Sequence, residues 1–364
     1  MENDVVNLFK DLVNIDSPSF KEGELAKILT SKLEELNFKV ELEEHEGTVN
    51  IIAKRNGEGE PILLSSHMDT VLSNKGVKII EEKGQIKTDG NTILGADDKA
   101  GIAAILTGIK HAVSKNKDLI SLVVVFTYGE EVGLNGAKRV EKDRIGAKYG
   151  YVFDSGGDVG IAINKAPSEI DFTAEIIGKE AHSGVNPEDG VDAIKIAGHI
   201  ISALDLGKID EETTANIGVI KGGEMTNVIC PLVELKGEVR SHDFSKTKKI
   251  AQEFKEVFDK NAQKYGGKVE FKKEIAYKDF YLDKEQEVVK YLERNLRELG
   301  RKLELKSRGG GSDANVFNEK GIPTLNLAVG MTNGHTTEEF VTVENLVMAS
   351  KLVEKLVEKE SRSG

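Results

Sequence analysis

Four short apolar runs in this chain each lead directly into acidic residues or a histidine. Ile62-Leu-Leu-Ser-Ser66 is followed by His67-Met-Asp69, and Leu122-Val-Val-Val-Phe126 by Thr-Tyr-Gly-Glu130-Glu131. Tyr151-Val-Phe153 precedes Asp154, and Thr324–Val329 precedes Gly-Met-Thr-Asn-Gly-His335. Between the first two lies Gly95-Ala-Asp97-Asp98-Lys-Ala-Gly101, an acidic turn bounded by glycines. Imidazoles and carboxylates brought together form a nitrogen and oxygen donor set suited to zinc or a similar divalent ion. A Glu-Glu or Asp-Asp pair alone is an ordinary solvated feature, and a lone His67 would read as a packed histidine. It is their recurrence at successive run ends, among glycines, that points to a metal site.

The elements that must position these residues alternate in type. Val5, Leu8, Phe9, Leu12 and Val13 recur at helical spacing, as do Leu25, Ile28, Leu29, Leu33 and Leu36, and Ile102, Ile105, Leu106, Ile109 and Val113. The β-branched run Leu122–Phe126 suits a strand covered on both faces. Strands interleaved with helices predict an α/β fold, a mostly parallel mixed sheet with helices on both faces. In such sheets a site forms beyond the carboxyl ends of the strands. After about Pro167 the rhythm changes to β-α-β-β-α-β, the order of a ferredoxin-like α+β unit. The expected organisation is a catalytic domain of residues 1–167 and 279–364, interrupted by an inserted lid or dimerisation domain of residues 168–278.

Composition excludes several other functions. With 50 Lys and Arg against 62 Asp and Glu, the net charge is −12 over 364 residues, which argues against a nucleic-acid partner. One cysteine permits no internal disulfide and fits a reducing compartment. The acidic start Met1–Lys10 lacks the apolar stretch of a secretion signal. The apolar run Leu122–Phe126 is too short to span a bilayer. The expectation is a cytoplasmic protein with no membrane partner.

The motifs resemble those of the di-zinc, co-catalytic peptidases and deacylases, which include tripeptide aminopeptidase (peptidase T), glutamate carboxypeptidase, acetylornithine deacetylase and succinyl-diaminopimelate desuccinylase. The matching stretches are Ser66-His-Met-Asp-Thr-Val71, Gly95-Ala-Asp-Asp-Lys-Ala-Gly101, Thr127-Tyr-Gly-Glu-Glu-Val-Gly133 and Glu180-Ala-His-Ser-Gly184. Arg308-Gly-Gly-Gly-Ser-Asp313, with one glycine more than the family pattern, and Gly334-His-Thr336 complete the series. The Gly-Ala-Asp-Asp-Lys-Ala-Gly and Arg-Gly-Gly stretches lean toward the peptidase T branch.

The resemblance implies two divalent metal ions, zinc first, with cobalt or manganese also acceptable to these donors. His67 and Asp154 would hold one ion, Glu131 and His335 the other, and Asp97 both. Asp69 would orient His67, and Glu130 would be the general base acting on the water between the metals. It further implies that His182 reaches a neighbouring subunit's site and stabilises the oxyanion, so that the protein is a homodimer through its insert. Asn227 and Arg240 stand where relatives contact substrate, and Arg308 would be a second carboxylate clamp, because an arginine fork fits a carboxylate bidentately. His45 reads as solvated, and His111, His199 and His242 as structural; Cys230 reads as a buried apolar filler.

The function implied is hydrolysis of short peptides by a zinc-dependent exopeptidase of the tripeptide aminopeptidase type. Asp154 favours that over an N-acyl-amino-acid deacylase or carboxypeptidase of the same fold, since in the family a Glu at that ligand accompanies the latter activities. A non-catalytic metal- or peptide-binding protein is the alternative of a different class.

Overall fold

The computed structural model describes residues 1–115 and 118–359. In chain order its strands are β1 (Lys39–His45), β2 (Thr48–Arg55), β3 (Glu58–His67), β4 (Ile79–Glu82), β5 (Gln85–Thr88), β6 (Ile120–Thr127), β7 (Tyr149–Gly156), β8 (Ile161–Ala166), β9 (Ser168–Ile177), β10 (Gly207–Asp210), β11 (Thr213–Gly222), β12 (Leu232–Ser241), β13 (Lys268–Tyr277), β14 (Phe280–Tyr281), β15 (Glu304–Ser307), β16 (Thr324–Thr332) and β17 (Phe340–Thr342). The chain divides into two compact units, one of Met1–Asn164, Tyr281–Ser307 and Ser312–Gly364, the other of Lys165–Phe280 and Arg308–Gly311.

The first unit is α/β. Its sheet runs β1-β2-β6-β3-β7-β16-β17-β5-β4, with β8 also pairing with β16. The pairs β6–β3, β3–β7 and β7–β16 are parallel, whereas β1–β2, β2–β6, β16–β17, β17–β5 and β4–β5 are antiparallel. Parallel pairing is therefore confined to the centre. There the strands are buried residue after residue, as Leu122–Thr127 shows, because helices cover both faces. Towards the margins, burial turns intermittent and connections shorten to hairpins such as Lys39–Arg55. Helix Ala96–Ser114 packs against β3, β7 and β16 and against helices Glu2–Val13 and Val343–Val357. It is buried almost throughout, with Ile102, Ile105 and Ile109 wholly inaccessible. No helix among the described residues is long and apolar enough to cross a membrane.

The second unit is an antiparallel sheet, β10-β11-β12-β9-β13, with helices Ala193–Ala203 and Phe244–Lys264. Along β9, Ile170, Phe172, Ala174 and Ile176 are buried in one apolar cluster, while Asp171 on the opposite face is exposed. Phe172 is the hub of that cluster, with its ring centroid 5.3–6.0 Å from those of Phe254, Phe258 and Phe271. The sequence pattern gives four strands here. The structure adds β10, whose Gly207-Lys-Ile-Asp210 is too short and too polar to register as a strand.

Candidate active site

His67 closes β3, 2% exposed, and its two ring nitrogens face in different directions. Nδ1 lies 2.9 Å from the backbone oxygen of Asp69 and 3.4 Å from its carboxylate. Nε2 faces Asp97 Oδ1 at 3.1 Å and Asp154 Oδ1 at 3.7 Å. The second oxygen of Asp97 is 3.4 Å from His335 Nε2, which is also 3.0 Å from Glu131 Oε1. Two donor triads result, His67–Asp97–Asp154 and Asp97–Glu131–His335. Asp97 belongs to both, one oxygen turned to each.

Strand ends and turns supply these positions. Asp154 lies within β7, where the β7–β16 register is irregular beyond Asn326. The Asn326 side chain fills that irregularity, accepting from the Asp154 N–H at 3.1 Å and donating to its carbonyl at 3.3 Å. Asp97 sits at the start of helix Ala96–Ser114 in extended backbone, and the Asp97–Asp98 peptide is cis. Its N–H and that of Gly95 donate to Glu339, at 2.9 and 2.7 Å. Glu130 and Glu131 follow β6, and their backbone N–H groups donate to the Asp69 carboxylate at 2.9 and 3.2 Å. Ser19 completes that carboxylate's partners at 2.7 Å. Asp69 thus serves His67 chiefly through its backbone oxygen and spends its carboxylate on the Glu130–Glu131 turn.

The electrostatics are those of an anionic pocket. Burial pushes the Glu130 carboxyl well up, reinforced by Asp313, Glu131 and Asp69, and burial does the same to Asp154, reinforced by Asp97 and Glu130. Burial opposes ionisation of Asp97, yet hydrogen bonds from His335 and His67 hold its carboxyl low. The carboxylates of Asp97 and Glu131 beside it raise the His335 imidazole to about 10. Glu131 Oε1 is buried without a hydrogen-bond partner of acceptable geometry, although His335 Nε2 is near. Converging carboxylates, two imidazole nitrogens and an orphaned carboxylate oxygen are a donor set that fits divalent cations.

The remaining sequence-selected residues lie on the second unit. His182 is exposed, and its Nδ1 accepts the Gly184 N–H at 3.1 Å. Its loop pairs with that of Asn227, through Ser183 N–H to the Asn227 carbonyl at 3.0 Å. Arg240 is engaged by Glu238 at 2.8 and 2.9 Å, by Glu169 at 3.2 Å and by the Tyr277 hydroxyl at 3.3 Å. Burial raises the Glu169 carboxyl to about 7, against the pull of Arg240 and Tyr277. The Arg308–Gly311 loop lies beside this group, since a Cβ on Gly310 would be 3.8 Å from Arg240 Nη1. Gly311 donates its N–H to the Tyr277 hydroxyl at 3.0 Å, and a Cβ there would meet the Tyr277 ring at 2.3–2.8 Å. The glycine-rich stretch therefore has a steric cause at its last position. Among the other histidines, His111 bonds Asp4 at 2.7 Å and His199 stacks on Tyr265 at 4.2 Å.

Several residues that support the donor triads carry no sequence signal: Ser19, which bonds Asp69, Glu22, which accepts the Gly129 N–H at 3.0 Å, Asn326 and Glu339. Only Glu338-Glu339, close after His335, could have been suspected.

The chain is similar to known proteins over nearly its whole length. A curated relative, the uncharacterized protein YqjE of Bacillus subtilis (strain 168), is 41% identical over 99% of both chains. The crystal structure of aminopeptidase PepT from Bacillus cereus superposes with a TM-score of 0.89 at 40% identity, covering 98% of each chain. That of a tripeptidase from Staphylococcus aureus gives 0.93 at 38%, also over 98% of each. Residues 63–359 match peptidase family M20/M25/M40, a span that takes in every member of both donor triads, and the chain belongs to that family.

Proposed function

We propose that the protein is a metal-dependent exopeptidase that hydrolyses short peptides, of the tripeptide aminopeptidase kind. The observation that carries the reading is the sharing of Asp97 between two donor triads, with Glu130 next to the ligand Glu131 and outside both triads. His67, Asp97 and Asp154 would hold one divalent cation, and Asp97, Glu131 and His335 the second, zinc in the first instance. Bound there, the cations supply Lewis acidity and water of lowered pKa.

The chain's own groups do the rest. Glu130, with its carboxyl pushed up by burial, takes a proton from the attacking water and returns it to the departing amine. Asp69 fixes the turn that aims Glu130. His182 accepts at Nδ1, so its neutral ring carries the proton on Nε2, free to donate to a developing oxyanion in a partner subunit. Asn227 assists substrate binding. Arg240 and Arg308 provide positive charge for the peptide's terminal carboxylate. Because Glu238 and Glu169 already grip Arg240, substrate carboxylate must exchange with one of them.

Hydrolysis of a free tripeptide, its N-acetyl form and its C-terminal amide, by wild type and Arg240→Ala, tests the reading. The free acid should be preferred, and loss of the clamp should cost about 1.5–3 kcal/mol, roughly 10–150-fold in kcat/KM. Efficient cleavage of the N-acetyl form would make the protein a deacylase instead. Equal rates on acid and amide would remove the arginines from substrate binding.

A further inference from the structure

Phe20 presents a large apolar ring that is 51% exposed, on a backbone with φ of 67°, a conformation that bulky residues rarely adopt. The surrounding hydrogen bonds hold it there. Its N–H donates to Glu22 Oε1 at 2.9 Å, and the same oxygen accepts the N–H of Gly129 at 3.0 Å. Glu22 is wholly buried, and its second oxygen accepts from Thr48 at 2.6 Å. On the other side of Phe20, Ser19 is bonded to Asp69, which grips the Glu130–Glu131 turn. The ring thus rides on the same framework as the general base. It lies so close to Gly129 that a Cβ there would be 3.2 Å from Phe20 Cε1. About half of the residue's surface is open to solvent, and the Tyr128 ring lies 6.3 Å away between centroids. Val132, directly after Glu131, and Leu72, shortly after Asp69, are 50% and 59% exposed.

We propose that Phe20 is a specificity-determining residue: its ring is the apolar wall beside Glu130 against which a substrate side chain flanking the scissile bond packs. The inference rests on the peptidase reading. Glycine would take this backbone without strain, so what phenylalanine adds at the position is the ring. A conformational outlier over-determined by its neighbours and placed against a catalytic turn is where substrate contact is expected. An apolar side chain laid on the ring leaves water and orients the bond beside Glu130, whereas a glycine residue gains nothing from it.

The test uses the full-length, metal-loaded enzyme with triglycine, Leu-Gly-Gly, Gly-Leu-Gly and Gly-Gly-Leu as substrates, and compares wild type with Phe20→Ala and Phe20→Gly. Both variants should lose about 10-fold or more in kcat/KM on a leucine peptide and stay within about twofold on triglycine. Phe20→Gly should melt no lower than Phe20→Ala, because glycine relieves the positive φ. Equal losses on all four peptides would mean that the ring only props the Gly129 turn, and unchanged rates would mean that it meets no substrate; either overturns the proposal while leaving the peptidase reading intact. A wild-type enzyme that cleaves none of the four would overturn the peptidase reading, and the wall with it.

Discussion

At the scale of single residues, the proposed chemistry turns on how two adjacent glutamates divide the work. Glu131 belongs to a donor triad and Glu130 does not, so Glu130→Ala should keep its full metal content while turnover falls by roughly 10²–10⁴. Metal analysis beside kcat checks this, and full activity would end the assignment. Asp69→Asn is a gentler case. Its carboxylate accepts from the N–H groups of both glutamates, and an amide keeps only one accepting oxygen. Turnover should fall roughly 10–100-fold, with KM less affected than kcat. These residues were legible because ligand types stand at strand ends beside glycines. Glu22 was not, since a glutamate before a helix looks ordinary until the fold brings Gly129 and Thr48 to it. Nor did the two-residue spacing of His67 and Asp69 disclose that the nearer contact runs through the Asp69 backbone oxygen.

At the scale of elements, the strand pair β9–β12 places Glu169 opposite Arg240, and Tyr277 on β13 completes the group. The carboxyl of Glu169 is raised to about 7 from about 4.5, so the folded protein holds that proton over a range in which the unfolded chain has released it. Its contribution to stability is therefore full below about pH 4.5 and lost as pH rises through 7. Glu169→Gln should flatten the pH dependence of the denaturation midpoint between those limits; an unchanged slope would show that Glu169 is not the group responsible. Gly311→Ala forces a methyl into the Tyr277 ring and should cost about 1–3 kcal/mol by chemical denaturation. The continuous runs of β3, β6, β7 and β16 were readable from sequence because strands buried on both faces need unbroken apolar residues. The hairpin Ile79–Thr88 was not, because its first strand and turn are exposed and charged and its second strand is only four residues long, and neither was β10. Antiparallel margins need no apolar run, so a rhythm read from apolar runs finds the parallel centre of the mixed sheet and passes over its edges.

At the scale of the molecule, one chain carries the donor triads on one compact unit and His182, Asn227, Arg240 and Arg308 on the other. The change in sequence rhythm near Pro167 falls close to the start of the second unit at Lys165, while the return of Arg308–Gly311 to that unit depends on backbone contacts such as Arg308 N–H to Lys165 O at 3.0 Å, which no local pattern encodes. β10 and β13 are the edges of the second unit's sheet, and paired or covered edges are the rule in folded proteins. On the proposed homodimer, with His182 serving its partner, mixing inactive Glu130→Ala with inactive His182→Ala under subunit exchange should restore activity. One subunit then brings an intact His182 and the other an intact donor set and base. No recovery from demonstrably mixed dimers would place His182 within its own chain's chemistry or outside the reaction. The measurement that bears most directly on the central claim is metal stoichiometry taken together with hydrolysis of a free tripeptide, before and after chelation and for Asp97→Ala. The account predicts about two divalent ions per chain, activity that disappears with the chelator and returns with the metal, and loss of both ions when Asp97 is removed. Peptide hydrolysis that survives complete removal of metal, or an Asp97→Ala protein that keeps two ions and full turnover, would contradict it.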